Sequence, residues 1–338
     1  MKNSIFLFLI GLLFFSACGG SSKPAEQEEA APMITGNPAI DGLTQEIRND
    51  PENASLYAQR GQVFLENQGY DEAIIDFTFA IQFDSTNIDY YHILADTYLD
   101  YFKSRKALAV MKEAAQKFPD HLPTLIKLSE FQLILKKYED SMKTIDQVLK
   151  KDPQNAMAYF MFGMNFKDQG DTIRAINSFQ KAVEFDADIV DAWLNLGQLY
   201  AGIGDPLAAR YFDNALRVAP EDITALHAKA DYLSSQNDLE GAVATYRRIV
   251  GVDPSYREAY FNSGLIYLDM DSIEAANKNF DLSVKVSPTY IKGYYFRGLS
   301  YEMLGNKEAA KNDYEQALRM APNYEKAQEG LERVKDAG

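Results

Sequence analysis

The stretch VDAWLNLGQLYAGIGDPLAARYFDNALRVAP, residues 190–220, decides the fold of this 338-residue chain. Large and small residues recur in it at the three- and four-residue spacing of a helix face, first before and then after a Gly-Asp-Pro break. These positions are Trp193, Leu196, Gly197, Tyr200, Gly204, Ala208, Phe212, Ala215 and Pro220. The pattern predicts two amphipathic helices joined by a short turn.

The same pattern recurs about every 34 residues along the chain. Eight copies cover residues 54–324. One of these eight, from Leu125 to Pro153, is less regular than the others. Two further copies are Tyr57, Gly61, Phe64, Ala73, Phe77, Ala80 and Tyr260, Gly264, Tyr267, Ala276, Phe280, Pro288. The chain is therefore an array of similar units.

The residue types explain the shape of each unit. Small residues let two helix backbones approach, and the large residues a turn away fill the space between them. A proline after six of the eight second helices prevents the helix from continuing. A lone helical hairpin cannot bury both of its faces, so the units must stack on one another.

The motif W-x2-L-G-x2-Y, followed by A-x3-F and then P, resembles the tetratricopeptide repeat. The resemblance implies an all-α fold, an α-solenoid (right-handed superhelix) of about eight helical hairpins. We expect an N-terminal half-repeat at 37–53, eight repeats at 54–324 and a C-terminal capping helix at 325–338. The aromatic and small positions, Trp193 included, are then core and not a cofactor site.

The N-terminus has the layout of an export signal. Lys2 precedes an almost wholly apolar run at 4–17, whose fourteen residues fall short of the about 20 needed to cross a bilayer. The segment FSAC, ending at Cys18, resembles the lipobox of bacterial lipoproteins, which implies a signal peptide at 1–17 and lipidation of Cys18. Ordinary cleavage a residue or two later is the alternative.

A lipidated Cys18 implies attachment to the bacterial outer membrane. The cysteine is followed by Gly19, and the first acid comes only at Glu26, so we expect a lipid-anchored protein facing the periplasm and not the cell surface. Residues 18–36 are rich in Gly, Ser, Pro and Glu and are expected to form a flexible tether.

In the family, the concave groove is lined by the residues that lie one, four, eight, eleven and twelve positions after the start of each repeat. Eleven of these forty positions are acidic and only Lys167 and Lys292 are basic, in a chain of net charge −15. The candidate binding residues are Asp96, Asp100, Glu130, Phe160, Met164, Leu194, Asp231, Phe261, Leu265, Tyr295 and Leu299. Alternatively, the apolar ones pack between repeats and the acids only keep the surface soluble.

The groove chemistry favours a basic, extended or helical polypeptide with apolar anchors. Nucleic acid is disfavoured because the field has the wrong sign for phosphate. Family members that grip a chaperone's C-terminal carboxylate have lysine at the fifth position of a repeat, which this chain lacks. Its fifth residues are Ala58, His92, Ile126, Phe160, Leu194, His227, Phe261 and Tyr295.

The sequence contains no motif for catalysis or for a cofactor. His92 with Asp96 and His227 with Asp231 stand four apart on predicted helices, but two ligands are too few for a tight metal site, so a polar lining is expected. His121 is expected in a solvated turn.

We therefore expect a non-catalytic scaffold or adaptor that holds one or more envelope proteins. One alternative is a self-associating structural component, for instance a homodimer, since solenoid faces are common dimer surfaces. Another is a holdase-like binder of exported polypeptides.

Overall fold

The computed structural model describes residues 35–335, which form eighteen α-helices and no strand. The predicted signal peptide, Cys18 and most of the tether lie outside the described residues. The helices are α1 Pro38–Asn49, α2 Ala54–Glu66, α3 Tyr70–Phe83, α4 Ile88–Asp100, α5 Ser104–Lys117, α6 Leu122–Ile134, α7 Tyr138–Lys151, α8 Ala156–Asp168, α9 Thr172–Phe185, α10 Val190–Gly202, α11 Leu207–Val218, α12 Ile223–Ser235, α13 Leu239–Val252, α14 Arg257–Asp269, α15 Ile273–Val286, α16 Ile291–Met303, α17 Lys307–Met320 and α18 Glu325–Lys335.

The helices pair into eight antiparallel hairpins, from α2–α3 (repeat one) to α16–α17 (repeat eight), stacked into an all-α solenoid. Within a hairpin, the turn has one residue in the left-handed region, such as Gly170 at φ 77° or Asn237 at φ 63°. The next backbone N–H then returns to a carbonyl one turn back, as from Asp171 to Phe166 at 2.9 Å. This closure satisfies carbonyls at the end of the first helix.

Each first helix begins after an N-cap residue, and in α4, α8 and α12 this residue is a short polar one whose side chain caps the helix. The side chains of Asn155 and Asp222 accept hydrogen bonds from the backbone N–H groups of Ala158 and Ala225. Proline precedes several of these caps by two residues, as Pro153 does Asn155, and prevents the preceding helix from continuing.

The core of each hairpin combines a small residue of the first helix with a large one of the second. A Cβ atom added at Gly163 would lie 2.5 Å from the ring of Phe179, which is fully buried. Gly197 and Phe212 repeat this arrangement with a distance of 2.6 Å. Because only glycine permits this approach, the two helices pack at closest range at these points.

The terminal helices cover the ends of the array. Arg60 of α2 donates two hydrogen bonds to Asp76 of α3 (2.8 and 2.7 Å) and one to Thr44 of α1 (3.0 Å), which ties α1 to repeat one. At the other end, Arg333 of α18 forms a bidentate ion pair with Glu302 at 2.8 and 2.9 Å. Among residues 35–335, no helix is long and apolar enough to cross a membrane.

Candidate functional site

The first helices of the repeats line the concave groove. Neighbouring first helices contact one another directly, as α6 does α8 and α10 does α12, while the second helices of neighbouring repeats lie farther apart. Because the first helices of neighbouring repeats lie closer together than the second helices, the stack of repeats curves toward the first helices. The groove therefore runs along α2, α4, α6 and the later first helices.

The fifth residue of a first helix packs against the residue that caps the next first helix. Phe261 lies 5.1 Å from Tyr290, ring centroid to centroid, and Tyr295 lies 5.5 Å from Tyr324. A side chain at this position therefore forms part of the contact between repeats, and its exposure depends on the size of its neighbour.

This packing corrects the prediction for two of the groove residues. Leu194 and Phe261 are buried, with 6% and 8% of their surface exposed. Phe261 is enclosed by Phe280, Tyr290 and Phe296 at 5.7, 5.1 and 5.4 Å between ring centroids. Neither side chain is an exposed anchor for a partner, because the following repeat already covers it.

The other predicted apolar residues are half-buried. They are Phe160, Met164, Leu265, Tyr295 and Leu299. Met157, Ile134 and Met303 are more exposed, at 41%, 45% and 53%, and lie at positions of the same groove register. The predicted register includes these three positions, but the sequence did not indicate that they are more exposed than the candidate residues.

Of the four acids among the candidate binding residues, Asp100, Glu130 and Asp231 are exposed. Asp96 is half-buried and accepts a hydrogen bond from Lys127 Nζ at 2.6 Å. Lys127 lies one residue outside the predicted groove register, so its contribution to the groove charge was not predicted from the sequence.

A depression of about 330 Å³ lies where repeats three and four meet. Its wall combines Ile126 and Met157 with Glu130 and Lys127, and Leu122, Pro123 and Asn155 complete it. Apolar carbon and a carboxylate are thus adjacent at an open, solvent-facing position. Such a surface suits a long side chain with an apolar stem and a cationic end.

A hydrogen-bonded network joins repeats six and seven. His227 Nδ1 lies 3.0 Å from the hydroxyl of Tyr256, and its Nε2 lies 3.4 Å from Asp231 Oδ2. Asp231 also accepts a hydrogen bond from the Tyr246 hydroxyl, which in turn accepts one from Asn262 at 2.9 Å. The sequence correctly paired His227 with Asp231, but no motif indicated that Tyr256 and Tyr246 would contact this pair.

The network raises the pKa values of His227 and Tyr246 and lowers that of Asp231. The hydrogen bond to Asp231 raises the pKa of His227 against the opposing effect of burial. Burial raises the pKa of Asp231, but the hydrogen bonds from His227 and Tyr246 outweigh it and the net pKa is lowered. Burial, together with Asp231, raises the pKa of Tyr246. The arrangement therefore favours a histidinium beside a carboxylate.

The second predicted pair, His92 with Asp96, does not form. His92 Nε2 lies 2.8 Å from Thr124 Oγ1, and the same hydroxyl lies 2.8 Å from His121 Nδ1. Asp96 instead accepts a hydrogen bond from Lys127. Burial, with the positive charge of Lys127, lowers the pKa of His92. His121, predicted in a solvated turn, instead takes part in the contact between repeats two and three. The described part of the chain holds no group of three or more potential metal ligands.

The fold and its open groove define an α-solenoid with a surface for protein–protein contact. Family models described as tetratricopeptide repeat or TPR repeat match residues 98–161, 163–204, 227–276 and 291–324. The chain is therefore built of tetratricopeptide repeats, as the motif predicted.

Among curated proteins, the chain is similar to human protein O-mannosyl-transferase TMTC3, with 26% identity over 245 residues, 69% of this chain and 26% of that protein. It is 21% identical over 296 residues to Hsp70-Hsp90 organizing protein 3 of Arabidopsis thaliana, covering 83% of this chain and 52% of the relative. The chain thus spans about a quarter and about half of these relatives.

Two solved structures share the fold. The C-terminal part of a TPR repeat-containing protein from Cytophaga hutchinsonii superposes with a TM-score of 0.59 at 17% identity, covering 72% of this chain and 99% of that one. PilW, described as a type IV pilus biogenesis factor, gives a TM-score of 0.51 at 20% identity, with 63% and 99% coverage. At these identities the likeness concerns the fold alone.

Proposed function

We propose that this protein is a non-catalytic adaptor of the bacterial envelope that binds polypeptide partners in its concave groove. The observation that carries the proposal is the depression between repeats three and four, where Glu130 lies beside Ile126 and Met157. With the exposed carboxylate of Asp100 on repeat two, this surface favours a basic segment with apolar side chains.

The contacts of the groove histidines support binding rather than catalysis. Both nitrogens of His227 are engaged by Tyr256 and Asp231, and His92 is held by Thr124. These groups stabilise the contacts between repeats. The transferase activity in the name of the human relative belongs to a protein of which this chain spans only 26%.

We further propose that Cys18 is lipidated and holds the protein at the outer membrane, facing the periplasm. The proposal rests on the apolar run at 4–17 and the FSAC segment, which lie outside the described residues. Metabolic labelling with an alkyne fatty acid should tag the wild-type chain and leave Cys18→Ser unlabelled. Equal labelling of the two would refute the proposal.

The groove is tested by crosslinking in cells followed by mass spectrometry. Asp100→Lys with Glu130→Lys reverses two exposed charges in the groove, whereas Glu113→Lys with Asp146→Lys reverses two exposed charges on the second helices of the same two repeats. We expect the groove pair to lose a partner that the wild type and the second-helix pair both retain. Equal partner recovery by all three proteins would contradict an acidic binding groove.

A measurement of mass in solution separates binding from self-association. The adaptor proposal expects the same mass for the wild type and both double variants, since the groove holds another protein. If the groove pair instead changed the mass of the purified protein, the bound polypeptide would be a second copy of this chain.

A further inference from the structure

One edge of the solenoid is formed by the turns inside the eight hairpins. At the centre of each turn stands a residue of positive φ, and most are types that tolerate this conformation. In chain order they are Gln68, Phe102, Lys136, Gly170, Gly204, Asn237, Asp271 and Gly305. Repeats two and three thus place a bulky aromatic residue and a lysine where glycine, asparagine or aspartate occurs in five of the others.

Phe102 is unusual in both conformation and exposure. Its φ is 56°, a region that disfavours side chains of this kind, and 95% of its surface is exposed. Packing within the described chain therefore does not compensate for the disfavoured backbone. A disfavoured backbone conformation at a residue whose side chain is almost fully exposed indicates a role outside the fold.

The same edge carries a cluster of positive charge. The turns of repeats two and three read YFK and LKK, whereas the others read NQG, QGD, IGD, QND, MDS and LGN. Arg105 and Lys106 follow Phe102 at the start of α5 and are exposed, as are Lys136 and Lys137. Residues 101–106 and 134–137 contain five lysines and arginines and no acid, in a chain with a net charge of −15.

Local acids neutralise only part of this charge. Asp71 accepts hydrogen bonds from Tyr101 at 2.9 Å and from Lys103 at 3.1 Å. Glu139 is paired with Lys143 at 2.6 Å. Within the described residues, Arg105, Lys136 and Lys137 form no ion pair, although Asp100 and Asp140 lie at the same edge.

We propose that this basic turn edge, residues 101–106 and 134–137, contacts an anionic lipid bilayer, with Phe102 inserted at the headgroup level. An aromatic side chain surrounded by lysine and arginine is the combination that interfacial membrane contacts use. Ile134, which is 45% exposed, adds apolar surface on the neighbouring turn. Phe102 lies on a projecting turn and not in a groove. A projecting aromatic side chain can insert into a bilayer surface, whereas binding of a peptide usually requires a groove.

The inference goes beyond the adaptor function, because it concerns the turn edge, which meets the groove only at Asp100 and Ile134. It also differs from the proposed lipid anchor, since it requires only residues of repeats two and three. Contact through this edge would orient the groove relative to the bilayer, in a way that a flexible tether alone cannot.

The test places a fluorescent reporter at the proposed contact. In the full chain with Cys18→Ser and Trp193→Phe, Phe102→Trp leaves a single indole on the turn. Vesicles of phosphatidylcholine mixed with phosphatidylglycerol should shift its emission to the blue, and brominated acyl chains should quench it. Added salt should reverse both effects because the attraction is electrostatic.

A matched variant controls for the apolar leader and for exposed turns in general. Ile203 is 57% exposed in the IGD turn of repeat five, so Ile203→Trp in the same background should show neither shift nor quenching. Lys136→Ser with Lys137→Ser should weaken the response at position 102 several-fold. Phe102→Gly, which suits the positive φ, should remain folded and bind these vesicles less than wild type.

Several outcomes would overturn the proposal. One is an equal response to phosphatidylcholine alone, and another is the absence of quenching by brominated lipid. A blue shift with polyglutamate but not with vesicles would assign the edge to an acidic protein. A concentration-dependent shift without vesicles would assign it to a second copy of the chain. Each result leaves the crosslinking test of the groove unaffected.

Discussion

At the scale of the residue, glycine marks the points where two helices come closest. The eighth residue of a first helix is glycine in every repeat whose facing residue is phenylalanine, as with Gly163 and Phe179. Repeat two instead combines Ala95 with Met111 at the same two positions, and both are fully buried. In repeat two the flexible methionine leaves room for the methyl group of Ala95.

Gly163→Ala should therefore destabilise the protein. The new Cβ would meet the buried Phe179 ring at 2.5 Å, and overpacking of this kind costs about 1–3 kcal/mol. Gly251→Ala is the control, since nothing lies within 4 Å of its added Cβ and alanine favours the helix. Urea unfolding should give a lower midpoint for the first variant and an equal or higher one for the second.

The two groove histidines should respond to pH in opposite directions. The pKa of His227 is raised, so its stabilising contribution is present below the unfolded value of about 6.5 and is lost as the pH rises through the folded pKa. The pKa of His92 is lowered, so the fold favours its neutral form and stability is lost as the pH falls below about 6.5.

Substitution by glutamine separates the two effects. His227→Gln should destabilise the protein more at pH 5.5 than at pH 7.5, conditions on either side of about 6.5. His92→Gln should reduce the loss of stability on acidification. The measurement is the urea midpoint at both pH values, and the same slope in both variants would contradict the opposite pKa shifts.

At the scale of the element, buried arginine–aspartate pairs hold the terminal hairpins. Arg297 of α16 donates two hydrogen bonds to Asp313 of α17 at 2.7 and 2.6 Å and one to Asp281 of α15 at 2.8 Å. Arg60 makes the corresponding contacts in repeat one, with Asp76 and Thr44. Each arginine thus joins three consecutive helices.

Asp313→Ala should loosen repeat eight. The change removes the carboxylate that accepts two hydrogen bonds from the half-buried guanidinium of Arg297. Removing one member of a buried ion pair lowers the free energy of unfolding by about 3–5 kcal/mol. Asp213→Ala is the matched control, because Asp213 pairs with Lys229 at 2.5 Å but its side chain is 60% exposed, and such pairs contribute at most about 1 kcal/mol. Hydrogen exchange should increase in α16–α18 for Asp313→Ala only.

At the scale of the whole molecule, buried polar side chains are concentrated in repeat three and at its contact with repeat four. Thr144 donates to Gln132 at 2.9 Å, Ser141 donates to the carbonyl of Ser129 at 2.8 Å, and Asn165 donates to Ser141 at 2.9 Å. All five of these residues are buried, and Asn165 Oδ1 has no hydrogen-bond partner there. A buried acceptor without a partner weakens the local packing.

We expect the solenoid to open first in this region. Asn165→Ile with Ser141→Ala should raise the free energy of local opening by about 1–3 kcal/mol, because it removes the unsatisfied acceptor. Ile266 is buried at the same position of repeat seven, so Ile266→Asn should have the opposite effect there. Native-state hydrogen exchange of residues 122–168 measures the opening, and unchanged protection would contradict this assignment.

The sequence by itself determined the hairpins, their stacking and the core positions. These depend on spacing within one repeat: Gly197 and Phe212 meet because each helix fixes the direction of its own side chains. The acidic character of the groove also follows from composition, as the exposed Asp100, Glu130 and Asp231 illustrate.

Only the tertiary structure decided which groove residues are open to a partner. Met157 and Phe261 both belong to the predicted groove register, but Met157 is 41% exposed and Phe261 only 8%, because Tyr290 and Phe296 of the next repeat pack on the Phe261 ring. It likewise separated His92 from Asp96 and left Phe102 95% exposed. Exposure depends on the neighbouring repeat, and a pattern within one helix does not contain that information.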